Sequence, residues 1–376
     1  MGSRPDVLQA IEKVNEFTNR TIRHPKLDSA IERLLYVLMF ADPSSIILLF
    51  GPSGVGKTTL LTKMIKLIND ICLDKMEADP SFIPIVSTVA KAPDNGIFNW
   101  KDFYIRFLKG ANDAVPDKKI NHQNQESKDE LGQIRARYRD ISGTAYKNAY
   151  ESFLIHRRPF AVLIDEAQHL QKMGGGRRLR DQMDVIKSLS EATKTKHVLF
   201  GTYELLDLAN LSGQLNRRTI SIHFPRYQHL RVRQDEFAQF QSVLLTFQDM
   251  LPLNEKPDLL KHSEYMYQYS AGCVGILKDW LKRSLAQALS QNKNTITLQI
   301  LKENALHSTA LRQIAEEINE GERNMEVNCD IEAAELLGMR DFQDSPAGTR
   351  SKKTNEKPKG FKPFNRRPTR DAIGGR

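Results

Sequence analysis

Apolar residues fall at helical spacing over 6–22 (Val7, Leu8, Ile11, Val14, Phe17) and again over 28–40 (Ile31, Leu34, Leu35, Leu38). This pattern predicts two helices punctuated by Pro25 and Pro43. A short unbroken apolar run follows, Ser45-Ile46-Ile47-Leu48-Leu49-Phe50, and then helical spacing returns through Leu60, Leu61, Met64, Ile65, Leu67 and Ile68. A run so short and apolar on nearly every residue reads as a strand buried on both faces. Comparable runs recur at 82–89, 160–164, 197–202 and 219–224, separated by helical patterns through 100–108, 144–157 and 179–193. Strands alternating with helices predict an α/β fold with a central parallel sheet flanked by helices. From Val232 to about Ala310 the spacing is helical throughout (Phe237, Phe240, Leu244; Leu259, Met266; Leu277, Trp280, Leu281), which predicts a small all-helical lid. The polar stretch 109–130 reads as an exposed insertion.

Between the first strand and its helix stands Gly51-Pro52-Ser53-Gly54-Val55-Gly56-Lys57-Thr58, followed by Thr59. The spacing G-x-x-x-x-G-K-[ST] is a P-loop, and each part has its own physical job. Glycines let the loop turn tightly, so that backbone N–H groups converge on phosphate oxygens at a helix N-terminus. Lys57 supplies a point charge for the β- and γ-phosphates, and Thr58 offers a hydroxyl to Mg²⁺. ATP and Mg²⁺ are therefore the expected cofactors. Given average glycine use, the fixed positions match by chance in roughly one chain of this length in a hundred, and the strand and helix on either side narrow it further.

The run Phe160-Ala161-Val162-Leu163-Ile164 ends in Asp165-Glu166. A buried parallel strand ending in two acids delivers them to the sheet edge where such folds bind ligands. There Asp165 is expected to hold the metal and Glu166 to orient and deprotonate the attacking water. The strand 197–202 ends in Thr202, placed as a polar sensor of the γ-phosphate. Arg217 and Arg218, just before the last strand, are two candidates for an arginine finger acting on a neighbouring subunit's nucleotide, and spacing does not choose between them. Lys278, near the start of the third lid helix, is a candidate second-sensor cation.

Charge changes the picture only once it is located. The chain carries a net +9, yet Thr349–Arg376 alone holds ten Lys/Arg against two acids. The other 348 residues are left with 45 basic and 44 acidic side chains. Basicity thus belongs to a Lys/Arg-Pro-Gly tail that reads as disordered, and any nucleic-acid contact by the body must come from a local patch. The three cysteines form no ligand spacing, and neither a membrane span nor an apolar leader is visible, so a reduced cytoplasmic setting is expected. The segments expected are 1–44 (helical), 45–230 (nucleotide-binding, with the insertion), 231–321 (lid) and 322–376 (extension and tail).

Taken in order, Gly51–Thr58, Asp165-Glu166-Ala167-Gln168-His169-Leu170, Phe200-Gly201-Thr202 and Gln214-Leu215-Asn216-Arg217-Arg218 resemble the AAA+ ATPases of the TniB/TnsC type. These are target-selection regulators of Tn7-like and CRISPR-associated transposons. The resemblance spans about residues 20–310. It implies an AAA+ P-loop NTPase that assembles, with ATP, into rings or helical filaments of about six or seven subunits per turn. It also implies sequence-independent binding of double-stranded DNA, a target-selector protein, and a transposase reached through the C-terminal tail, with no membrane partner. Lys91, Lys101, Arg106, Lys118 and Lys119 are the candidate phosphate contacts. Two other readings share the core motifs: a helicase loader or replication initiator, and an envelope or secretion ATPase.

Overall fold

Five parallel strands form one sheet in the order β2-β3-β4-β1-β5: β1 (Ile46–Phe50), β2 (Ile85–Val89), β3 (Ala161–Asp165), β4 (Lys196–Gly201) and β5 (Thr219–His223). The computed structural model describes residues 4–92, 98–111, 143–171, 176–206 and 219–326. The chain divides into two compact units, Met1–Met325 and Glu326–Arg376. The expected tail, the short helix at 330–339, Arg217, Arg218, Lys118, Lys119 and most of the 109–130 insertion lie outside the described residues.

β1 is paired on both sides: Ile46 lies opposite His197 and Thr219, and Phe50 opposite Gly201 and His223. Its side chains alternate between two cores, which explains why the whole run is apolar. Ile46, Leu48 and Phe50 pack with Val162, Ile164 and Leu199 beneath α5 (Trp100–Gly110), α6 (Gly143–Arg157) and α7 (Gly176–Thr193). Ile47 and Leu49 pack with Leu163, Val198 and Phe200 beneath α2 (Pro25–Phe40) and α3 (Lys57–Ile71). A short helix, α4 (Leu73–Ala78), follows α3. β2 starts at Ile85, three residues later than the apolar run suggested. Pro84 has no N–H to give a ladder, and its carbonyl instead accepts from the Phe160 N–H at 2.8 Å.

Beyond Arg233 the described chain is helical: α8 (Gln234–Met250), α9 (Ser263–Ser270), α10 (Val274–Ser290), α11 (Leu298–Asn304) and α12 (Ser308–Glu326). Their core centres on the fully buried Trp280, whose indole N–H donates to the Leu301 carbonyl at 2.8 Å. Phe17 of α1 (Arg4–Asn19) inserts into this core beside Phe247, with ring centroids 6.0 Å apart. The N-terminal segment therefore splits its packing, α1 on the helical core and α2 on the sheet. α12 runs past the apolar periodicity read from sequence, because Ile318 is its one fully buried apolar residue and polar contacts hold the rest.

Candidate functional site

β1 delivers the chain into the turn 51–56, and α3 begins at Lys57. Gly54 and Gly56 adopt φ of 74° and 115°, in the left-handed region open to glycine. A Cβ on Gly51 would fall 2.1 Å from the Phe224 carbonyl oxygen, so β5's exit leaves room only for glycine there. The N-cap of α3 is Gly56, which has no side chain to accept from the first-turn amides, and they are left for an anion. Lys57 Nζ donates to the carbonyl oxygens of Gly51 and Pro52, each at 2.8 Å. Burial lowers its pKa, opposed first by the charge of Glu166 and also by Cys273, Glu317 and Asp165.

β3 ends at Asp165, which is 7% exposed, and its carboxylate accepts from Thr58 Oγ1 at 2.9 Å and from the Glu166 N–H at 2.9 Å. Burial raises the Asp165 pKa, and the Thr58 hydrogen bond is the largest opposing influence. Glu166 turns the chain at φ 54°, a strained conformation for a side-chain-bearing residue, and projects its carboxylate outward. Two hydrogen bonds hold that corner: the His169 N–H reaches the Glu166 carbonyl at 3.0 Å, and Gln168 Nε2 donates to Glu166 Oε2.

Gln168 was not singled out by sequence reasoning. Its amide is 7% exposed and also abuts β4, where a Cβ on Gly201 would fall 2.6 Å from Gln168 Oε1. The signal was present as the residue two beyond a strand-ending acid, but only the fold shows which way its amide turns. Thr202 follows Gly201 at the same edge. Thr202 Oγ1 and Gln168 Oε1 are buried, and neither has a hydrogen-bond partner among the described residues.

These observations fit a magnesium nucleotide. The glycine turn leaves the amides exposed, a hydroxyl and a carboxylate stand 2.9 Å apart, and buried polar atoms without partners border them. Mg²⁺ prefers this donor set, because it keeps waters and phosphate oxygens and takes few protein ligands. Consistently, the described residues contain no cluster of three or more His, Cys, Asp or Glu.

The helical part touches this turn directly. The N–H groups of Gly275 and Ile276, at the start of α10, donate to the Gly54 carbonyl at 2.8 and 3.3 Å. A Cβ on Gly275 would lie 2.4 Å from that oxygen. A pocket beside it is lined by Ile22, His24, Gly56, Thr59, Val274 and Lys278. Lys278 Nζ itself donates to the Thr18 and Arg20 carbonyls at 2.7 and 2.8 Å, where it caps α1. Its neighbourhood is therefore the pocket wall beside Thr59 and the end of α1.

Of the candidate DNA contacts, Lys91 follows β2 and is exposed, while Lys101 and Arg106 lie on α5. Arg106 pairs with Asp102 at 2.6 Å one turn earlier, and both side chains are substantially solvent-exposed.

With this geometry in place, the comparisons with known proteins acquire a meaning. Residues 41–209 match the AAA domain family. The fold is an AAA+ P-loop fold, with a central five-stranded parallel sheet flanked by helices. Cdc6p of Pyrobaculum aerophilum is 14% identical, with 77% of this chain and 69% of that one covered and a TM-score of 0.50. The ORC2 protein of Aeropyrum pernix, solved in ADPNP–ADP complexes, is 12% identical over 79% of this chain and 73% of that one, with a TM-score of 0.47. The ORC1 protein of Aeropyrum pernix, solved in complex with DNA, is 14% identical over 76% of this chain and 65% of that one, with a TM-score of 0.48. No curated protein matches the sequence. Among the described residues, no helix is long and apolar enough to cross a membrane.

Proposed function

We propose that this chain is a Mg²⁺-dependent ATPase whose AAA domain assembles with copies of itself on duplex DNA and links a marked target site to a transposase. The observation that carries the chemistry is the meeting of Lys57, Thr58, Asp165, Glu166 and Thr202 at one sheet edge, around a turn only glycines can make. Magnesium held by Thr58 and Asp165 would neutralise phosphate charge. Lys57 binds the β- and γ-phosphates once its ammonium leaves the Gly51 and Pro52 carbonyls. Glu166 accepts the proton of the attacking water at a carboxylate oxygen while the oxygen–phosphorus bond forms and the bond to the ADP oxygen breaks. Gln168 holds that carboxylate in place, and Thr202 donates its hydroxyl towards the γ-phosphate. Arg217 or Arg218 of a neighbouring copy completes the site by stabilising charge on the transferred group.

DNA assembly and the transposase partner rest on the sequence resemblance, with Lys91, Lys101 and Arg106 on or near α5 as phosphate contacts repeated from copy to copy. The decisive experiment is nuclease protection of duplex DNA with ATP, with ADP and without nucleotide, together with the ATPase rate in the presence of a transposase. ATP-dependent protection and a faster rate support the reading, and equal protection without nucleotide overturns it. The likeness in fold to Cdc6p favours a second reading, a replication initiator or helicase loader. A transposase reading frame beside the gene separates the two.

A further inference from the structure

α12 leaves the helical core and lies along the exit of β4, beside the phosphate end of the candidate site. A Cβ on Gly321 would fall 2.2 Å from the Tyr203 ring, so helix and ring are in direct apposition, and Tyr203 is the residue after Thr202. One residue on, Glu322 forms a two-pronged pair with Arg226: Nε and Nη2 donate to its two carboxylate oxygens, each at 2.9 Å. Arg226 is braced in turn by Nη1 donating to Tyr267 Oη at 2.7 Å. Arg226 and Glu322 are 14% and 18% exposed, which makes this a mostly desolvated clamp rather than a surface ion pair.

Glu317 lies one turn before Gly321, on the same helix face. Its Oε1 is buried with no hydrogen-bond partner among the described residues. The charges that act on Glu317 locate it: Lys57 lowers its pKa and Glu204 raises it, after burial. Glu317 acts in return on Lys57, Tyr203 and Cys273. Those residues stand in the P-loop helix, at the exit of β4 and at the start of α10, so the carboxylate sits in the space between them.

We infer that Glu317 is a specificity-determining anion of the nucleotide site: with α12 docked it competes with the γ-phosphate for Lys57, so the closed chain favours a nucleoside diphosphate over a triphosphate. A γ-phosphate on Lys57 and an ionised carboxylate facing the same ammonium repel one another, and like charges brought together in a partly desolvated site are disfavoured. Triphosphate binding and α12 docking therefore oppose each other, and the α12 clamp sets the balance. Binding opposed in this way obeys reciprocity, so triphosphate also loosens α12.

The inference rests on the ATPase reading above, and the test separates the two. Affinities of the full chain for ADP and for ATPγS, both with Mg²⁺, are measured by fluorescence titration for wild type, Glu317→Gln and Glu322→Ala. Glu317→Gln keeps the shape and removes the charge, so it should tighten ATPγS about five- to tenfold and leave ADP within about twofold. Glu322→Ala, which opens the clamp, should change the ratio in the same direction. Hydrogen exchange over 308–326 should quicken with ATPγS and not with ADP. An unchanged ratio in Glu317→Gln, or weaker ATPγS binding, overturns this inference alone, the latter making Glu317 a ligand rather than a competitor. Failure of wild type to bind either nucleotide overturns both readings.

Discussion

Thr58 and Asp165 meet because a helix start and a strand end are set by the register of one sheet, whereas Gly275, Arg226 and Glu317 reach the same site from the far side of the chain through a handful of contacts. At the sheet edge each polar atom is placed by a ladder: Phe50 is paired to Gly201 and His223, and Val89 to Asp165. In the helical part the placing is done by two hydrogen bonds to the Gly54 carbonyl, one ion pair and one glycine against a tyrosine ring. The first region is rigid by construction. The second can move as a body at the cost of a few bonds, which suits an element that responds to nucleotide.

The largest expected effects fall on the sheet edge. Lys57→Ala should cut phosphate release by about 10²–10³-fold through lost binding of phosphate charge. Glu166→Gln should cut kcat by about 10²–10⁴-fold while nucleotide stays bound. A phosphate-release assay run beside a nucleotide-binding titration distinguishes them, and loss of binding in Glu166→Gln would break the division of labour between the two residues.

Acid should then weaken both regions through different histidines. His197, inside β4, bonds to Tyr150 Oη and the Thr195 carbonyl, and His24 joins the N-terminal linker to Tyr227 beyond β5. Burial is the main cause that brings each to about 4 from an ordinary value of 6.5. Because the folded values are depressed, the unfolded chain takes up protons first. Stability is intact above about pH 6.5 and declines as pH falls towards 4, by about 2 kcal/mol for each histidine at pH 5. Urea titrations at pH 7.5 and 5.0 measure the loss. A wild-type midpoint unchanged between these pH values would refute the assignment, and His197→Gln should remove the sheet's share of the decline.

Breaking the clamp comes next. Arg226→Met leaves Glu322 without its main partner and should lower stability by about 2–4 kcal/mol, read as a loss of hydrogen-exchange protection confined to α12 if the helical part moves as a body. Uniform loss across the sheet would show that the two regions unfold as one. The smallest effect is expected at the surface. Arg106→Ala removes an exposed helix pair worth about 0.3–0.5 kcal/mol, and on the proposed DNA reading it should reduce the slope of log affinity against log salt by about one.

Much of the sheet edge was legible in the chain because its signals are local. Five apolar runs gave the strands, and the glycine spacing and the Asp165-Glu166 pair fell at the right ends of two of them. Boundaries drifted only where a local rule was overlooked, as at Pro84 before β2. The helical part was legible as helices but not as a site. Nothing near Gln168 announces that its amide turns back onto Glu166, and nothing in the polar stretch around Glu317 and Gly321 marks a face that meets Tyr203 more than a hundred residues earlier.

The sequence by itself determined the α/β alternation, the phosphate-binding turn and the acids at the strand end. Each depends on residues within one strand-turn-helix unit, where spacing alone sets geometry. Only the tertiary structure decided that Gly275 must be glycine to clear the Gly54 carbonyl, that Lys278 caps α1, and that Glu317 shares the electrostatic environment of Lys57. Those relations link positions far apart in the chain, and their register is fixed by packing of the helical core around Trp280 and Phe17 against the edge of the sheet, not by any periodicity that a single segment carries.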